Sequence, residues 1–459
     1  MGISRKLIVC AMAVGLASPM GAYATNGYFA HGYGTKNKGL GGAGVALPQD
    51  GMIAATNPAG MAFVGKRLDV GLAVFSPDRG YDAGAANTPP DGTNCAALPD
   101  GQCPFTIGGF GGEQSITSEN TIFFVPHFAY NWVLDNNNTL GVTVYGNGGM
   151  NTEYEGGQAQ HASNTNTAES TPGTFGGGTA GVNLEQLFIT LSYAHKYSDK
   201  GAVGIAPIFA YQTFEAKGLA VFGGYSSDPL NLTDNGKSTS TGYGFKLGWQ
   251  DQVAKGLTLA ASYQSKMSMS EFDEYKGLFA EGGSFDIPAT WTIGLAYDIA
   301  SAGVVTFDVQ QIQYSDVSSI ANPLANLGTD CAAGPTGGTG DGCLGAANGA
   351  GFGWTDIMVY KLGYQWSSSE DWTWRLGFNY GDNPIPESEV LFNILAPGVM
   401  TSHITFGFTH DMGNDNELSL AAMYAPEASV KGKNAFNPSQ DIELKMTQWE
   451  LEASWGMKF

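Results

Sequence analysis

Counting back from Phe459 in steps of two gives Met457, Trp455, Ala453, Leu451 and Trp449, all apolar, whereas the residues between them include Lys458, Ser454, Glu452 and Glu450. Alternation with period two sets one face of a strand against an apolar medium and the other against a polar one. A soluble sandwich strand alternates too, so the weight lies in repetition. Fourteen stretches carry the pattern, with approximate limits 67–76, 120–133, 139–151, 184–197, 201–217, 239–251, 256–272, 285–299, 302–315, 354–367, 371–384, 400–413, 416–432 and 446–459. Most exceed the roughly 9–11 residues that a tilted strand needs to cross a bilayer. The clearest outward faces are Ile122, Phe124, Phe128, Tyr130 and Trp132; Trp291, Ile293, Leu295 and Tyr297; and Trp372, Trp374, Leu376, Phe378 and Tyr380. Connections alternate as well: 135–138, 198–201, 367–371 and 413–416 are tight, while 77–119, 152–183 and 316–353 are long and rich in Gly, Asn, Thr and Pro. Short turns on one side and long loops on the other predict an all-β fold, a 14-stranded antiparallel transmembrane β-barrel over residues 67–459. Its setting is a bacterial outer membrane, with both barrel ends on the periplasmic side.

Before the barrel the pattern changes twice. Arg5 and Lys6, the apolar run Leu7 to Leu16 and the small residues ending at Ala24 have the order of a secretory signal peptide, so 1–24 is expected to be removed. Residues 25–66 show no alternation and are apolar and Gly-rich. Fourteen strands enclose more room than eight, which side chains alone can fill, so this segment is expected to plug the lumen as an N-terminal hatch. Within it Gly39, Gly41 and Gly44 match G-x-G-x-x-G, but no strand precedes them and no βαβ unit follows, so dinucleotide binding is rejected.

Composition narrows the partners. Mean hydropathy is only -0.10, with 66 Gly and 20 Tyr and no apolar run of helical spanning length, which suits a barrel whose strands are half wet. A net charge of -21 argues against nucleic acid. The acidity is instead expected at a surface where divalent cations bridge outer-membrane lipid and lipopolysaccharide headgroups. Cys10 leaves with the signal, and the close pairs Cys95 with Cys103 and Cys331 with Cys343 read as local disulfides. A metal site would need thiolates from different loops without His at ligand spacing nearby, and no metal or cofactor is expected. Neither G-x-S-x-G nor H-E-x-x-H occurs, and the six His are scattered, so no catalysis is expected.

The segment Gly34 to Gly60, with GLGGAGVALPQD followed by Asn57, Pro58 and Ala59, resembles the amino-terminal hatch of the FadL family of outer-membrane long-chain fatty acid transporters, which also includes channels for aromatic hydrocarbons. The run Trp354 to Pro386 is similar to that family's tenth and eleventh strands. The resemblance implies a monomeric barrel that takes up a long-chain fatty acid or hydrocarbon by diffusion. Ligand would enter through the extracellular loops, bind in the lumen beside the amino terminus and leave sideways at a kinked third strand. Tyr28 and Phe29 match the place where family members touch the pocket. The third strand here contains Gly146, Gly148 and Gly149, and Gly within a strand weakens pairing and marks bulges. Lateral release has a physical rationale, because an apolar solute entering water loses about 0.8 kcal/mol of transfer energy per methylene.

By parity Lys246, Lys361 and Arg375 face the lumen, where a cation can hold a carboxylate through charge-assisted hydrogen bonds. The competing role for each is pairing with lumen carboxylates or with the hatch. One departure from the family's fatty-acid members raises the hydrocarbon alternative. The ninth strand, VVTFDVQQIQYSDV, has no basic residue, and the fifth has only Lys217 at its end. A third possibility is a surface barrel serving adhesion or structure with no conducted ligand.

Overall fold

The computed structural model describes residues 26–99, 101–163 and 165–459; the expected signal peptide lies outside them. Fourteen strands form the wall, beginning with β1 (Arg67–Ala83), β2 (Phe123–Val133), β3 (Asn138–Asn151), β4 (Gly181–Lys196) and β5 (Gly201–Lys217). Next come β6 (Ser238–Ala254), β7 (Leu257–Gln264), β8 (Thr290–Asp298), β9 (Val304–Ile312) and β10 (Ile357–Ser367). The wall is completed by β11 (Trp372–Gly381), β12 (Ser402–Gly413), β13 (Asn416–Asn434) and β14 (Asn437–Lys458). Each pairs antiparallel with its sequence neighbours, and β14 returns to β1 from Arg67↔Lys458 to Ala83↔Ile442, which closes the cylinder.

The outward positions stand as the alternation predicts. Phe124, Ile293, Leu376, Phe378 and Leu451 are exposed on the outside, while Asn131, Gln212, Asn379, Glu450 and Glu452 are buried on the inside. Aromatic rings gather where the tight turns are. Tyr130 lies 4.4 Å from Trp132 and 6.1 Å from Phe459, and Trp372 stacks on His410 at 4.4 Å, an interfacial girdle at the periplasmic rim. The β12–β13 turn places Asn414 and Asp415 at φ of 52° and 61°, as a two-residue hairpin of matching twist requires.

Three strands depart most from their expected limits. β1 continues to Ala83, seven residues beyond 76, and β14 begins at Asn437, nine before 446. Above the membrane these strands are covered by loops on faces that would otherwise meet lipid, so Arg79, Gly80 and Tyr81 are buried in succession and the alternation that marks a strand is lost. β7 ends at Gln264 and not near 272, because the chain there turns into the loop core. In that core, short strands Thr106–Ile107, Gln158–Ala162 and Ala168–Pro172 form a separate sheet. Bonds Cys95–Cys103 and Cys331–Cys343 each close a loop locally.

The hatch fills the lumen and touches the wall on every side. Gly51 N donates to Asp69 of β1 at 2.8 Å, Asn131 of β2 donates to Met61 O at 3.1 Å, and Ser262 of β7 donates to Thr56 O at 2.8 Å. Across the cylinder Asp308 of β9 accepts from Gly44 N and Val45 N at 2.8 and 2.9 Å, and Thr405 of β12 accepts from Gly41 N at 2.8 Å. Asn57 caps the turn Pro58–Phe63, accepting from Ala59 N at 3.1 Å, while its amide nitrogen donates to Val45 O and to Trp249 O of β6. The wall thins to receive it: a Cβ at Gly248 or Gly377 would lie 2.0 Å from the Asn57 side chain or from Gly41 N. So close an approach to the wall is possible only where the wall residue has no Cβ.

Candidate functional site

The barrel wall is interrupted between β2 and β3. β2 pairs with β1 from Phe123 to Asn131, but with β3 only from Phe128 to Val133, so residues 123–127 have no partner on that side. Pro126 sits in this unpaired stretch, where its missing N–H costs no ladder bond. Opposite, β3 carries a bulge between Gly146 and Gly148 that leaves Asn147 outside the register with β4. Asn147 turns inward. Its Oδ1 accepts from Tyr33 Oη at 2.7 Å and its Nδ2 donates to Gln186 at 3.0 Å. Gln186 donates to Gln212 at 3.0 Å, which donates to Phe285 O at 2.8 Å, so a polar ladder behind β3, β4 and β5 holds the bend.

The free edge of β3 is capped by the first described residues of the chain. Phe29 bridges Gly148, Ala30 N donates to Asn147 O at 3.0 Å, and Gly149 N donates to Tyr28 O at 3.0 Å. A Cβ at Gly148 would lie 1.8 Å from Tyr28 O. The space left in the gap, lined by Tyr33, Met52, Val125, Pro126, Tyr145 and Gly146 among others, is about 10 Å³. That barely admits one water, so the gap is shut.

A second space lies among the extracellular loops. It is a cleft of about 30 Å³ lined by Val182, Phe214, Leu219, Phe222, Leu278, Phe279, Ser319, Leu344, Ala350, Gly351, Phe352, Phe392 and Leu395. Among the described residues no charged side chain lines it. From it a file of rings runs inward: Phe214 to Phe279 at 4.6 Å, Phe279 to Phe285 at 4.8 Å, Phe285 to Tyr28 at 6.3 Å and Tyr28 to Phe29 at 5.1 Å. These spacings are those of packed aromatic pairs. Tyr314 and Trp354 brace the inner end, 5.4 and 6.0 Å from Tyr28, and Tyr314 Oη donates to Asn26 O at 2.6 Å while accepting from Tyr28 N at 3.2 Å. Burial, reinforced by the neighbouring Tyr314 phenol, holds the Tyr28 phenol far above its ordinary range, so the file is uncharged at neutral pH.

The three luminal cations stand elsewhere, each against the hatch. Lys246 donates to Ala55 O, and Lys361 donates to His31 O at 3.1 Å. Arg375 grips Gln49 Oε1 through Nε and Nη2 at 3.0 and 2.8 Å and donates to Thr409 at 2.7 Å. In this arrangement they seat the plug. Burial, with the ammonium of Lys38 beside it, drives His31 well below the ordinary imidazole range, so it carries no charge against Lys361. Lys217, at the end of β5, pairs with Glu153 at 3.1 Å.

A charged cluster at β1, β13 and β14 does similar work and was not anticipated. Lys36 meets Glu417 at 2.5 Å, Lys38 meets Glu450 and Glu452 at 2.8 and 2.6 Å, and Arg67 joins Asp69 and Glu417 at 2.6 and 2.5 Å. The signal available was the luminal parity of Glu450 and Glu452, whose charge a membrane lumen tolerates only if paired. Pro126, alone inside an alternating run, was likewise readable as the mark of an unpaired edge. Phe279 belongs to a loop without periodicity, while Phe285 and Tyr314 fall in the stretches expected as strands over 285–299 and 302–315 but lie outside β8 and β9, in the loop core, and none of the three carried such a signal.

Residues 19–448 match the model of the family described as outer membrane protein transport protein (OMPP1/FadL/TodX). A sequence comparison with curated proteins gives no match. In three dimensions the chain is similar to the P. putida toluene transporter TodX, with a TM-score of 0.63 at 18% identity, covering 94% of this chain and 99% of that one. It is similar to a Pseudomonas aeruginosa FadL homologue, with a TM-score of 0.63 at 16% identity over 94% and 100% of the two chains. The Ralstonia pickettii toluene transporter TbuX gives 0.56 at 17% identity over 94% and 99%. At these identities the structural likeness speaks for the shared barrel, and the match over most of the sequence speaks for descent. The chain belongs to the FadL/TodX family of outer-membrane transport proteins and is a transporter of hydrophobic compounds.

Proposed function

We propose that the protein takes up long-chain fatty acids and similar apolar compounds by diffusion, without catalysis. Substrate enters the loop cleft, follows the file of rings to Tyr28 and Phe29, and leaves sideways through the gap between β2 and β3. The observation that carries this reading is the continuity of the file, which begins in the cleft at Phe279 and ends at the residue bridged to Gly148. An apolar solute on this path is passed from ring to ring and then to lipid, and keeps the roughly 0.8 kcal/mol per methylene that it would lose in the periplasm. Both spaces are narrow at rest, so passage requires rings such as Phe222 and Phe279 to turn and the capping segment to yield.

Aromatic hydrocarbons are a second reading, favoured by the lining of the cleft, in which none of the described residues is charged. A strain lacking this protein, with and without the restored gene, is to be given radiolabelled oleate and toluene. Restoration is expected to raise uptake of at least one of them, and the stronger response ranks the two substrates. Equal uptake of both with and without the gene would leave a surface barrel of structural or adhesive use.

A further inference from the structure

Arg79, on the luminal side of β1, is among the largest fully buried side chains of the protein. Its Nη1 donates to the backbone carbonyl of Asn151, its guanidinium lies 5.8 Å from the centre of the Phe123 ring, and its Nη2 has no hydrogen-bond partner among the described residues. Among the described residues no carboxylate reaches it within ion-pair distance, and the ionisable group that bears on it is the Tyr154 phenol. Its neighbour down the same strand is different: Arg67 has Asp69 at 2.6 Å and Glu417 at 2.5 Å. A buried lysine can shed its proton, but a guanidinium remains charged in proteins. A permanent cation held away from water without a counter-ion is costly, and an incoming anion relieves that cost.

Its position suits such an anion. Phe123 begins β2 and Asn151 ends β3, so Arg79 stands at the extracellular end of the gap between them. The next residue, Thr152, donates from its backbone N to Val182 O at 2.9 Å, and Tyr154 Oη donates to Ile394 O at 2.9 Å. Val182 lines the loop cleft, as does Leu395 beside Ile394. Arg79 is therefore set between the point of entry and the point of exit. We propose that Arg79 binds the carboxylate of an amphipathic acid on its way from the cleft to the gap, while the acid's alkyl chain stays among the apolar side chains. Carboxylate and guanidinium match in a two-pronged geometry, with Nη2 already free to donate. The inference rests on the transport reading above and names the head group that it would recognise.

Oleate and oleyl alcohol share a chain and differ in the head group, so they separate the two ideas. With the full-length purified protein, Arg79→Gln is expected to weaken oleate binding by about tenfold or more, the usual worth of a charge-assisted hydrogen bond, and to leave oleyl alcohol unchanged. Arg79→Lys should restore most of the preference. An equal loss for both ligands, or no loss for either, overturns the assignment. Should Arg79→Gln fail to assemble, oleate labelled with carbon-13 at the carboxyl is titrated on the wild-type protein. The bound carboxyl is expected to stay ionised to lower pH than in detergent micelles, and titration as in micelles overturns the proposal. Cells making the wild-type protein that take up neither compound would refute transport itself; uptake of both, with Arg79→Gln affecting them alike, refutes only the carboxylate site.

Discussion

Gly148→Val is expected to cut uptake by about tenfold or more while leaving a folded barrel. The Cβ would fall 1.8 Å from the Tyr28 carbonyl oxygen, 2.8 Å from its carbon and 3.1 Å from Phe29 Cα, all backbone atoms with no side-chain freedom to give way. The capping segment must then leave the edge of β3, losing the hydrogen bonds from Ala30 N to Asn147 O and from Gly149 N to Tyr28 O. At about 1 kcal/mol each, their loss shifts the docked population by more than tenfold. Tyr28 and Phe29 leave with it, so the file of rings ends short of the gap and the valine occupies the vacated place. Uptake assays beside heat-dependent gel mobility, which reports barrel assembly, separate a broken path from a misfolded wall. Gly328→Ala, where a Cβ would meet nothing within 4 Å, should change neither. Unaltered uptake in the valine variant would show that substrate does not use this edge.

Lys38→Met is expected to loosen the hatch by about 3–5 kcal/mol, the usual consequence of removing one partner from a buried ion pair. Lys38 lies between Glu450 at 2.8 Å and Glu452 at 2.6 Å, and these side chains are 4%, 2% and 1% exposed. Without the ammonium, two buried carboxylates face each other with Thr35 and His127 as the remaining partners of Glu452, at 2.7 and 3.3 Å. The measurements are thermal unfolding and the swelling of vesicles in a small sugar, which should report a lower transition and a leak through the unseated lumen. Adding Glu450→Gln and Glu452→Gln to Lys38→Met should recover much of the loss, because the uncompensated charge is then gone. A single variant as tight and as stable as the parent would mean that the cluster does not anchor the plug.

The parts of the molecule that were legible in the sequence are those where the surroundings impose a contrast. Along β8 and β11, lipid on one side and the lumen on the other force Trp291, Ile293 and Leu295, or Trp374, Leu376 and Phe378, onto a single parity. The bend in β3 was legible for a related reason, since Gly148 and Gly149 lie in a run that otherwise pairs well. Beyond the membrane the contrast vanishes, and with it the signal for β1 past Ser76 and for the start of β14. The inward parity of Lys246, Lys361 and Arg375 was readable, but their partners are hatch atoms some two hundred to more than three hundred residues away, beyond the reach of local pattern. The meeting of Phe285 with Tyr28 is a matter of tertiary packing alone.

Substrate is expected to leave through the wall between β2 and β3. Continuing the register set by Phe128↔Val144 would bring Pro126 opposite Gly146, and both line the same closed space. With cysteines at these two positions and a short, reducible thiol cross-linker joining them, oleate uptake is predicted to stop and to return when the link is reduced. Uptake at the unlinked rate with the bridge fully formed would contradict lateral release.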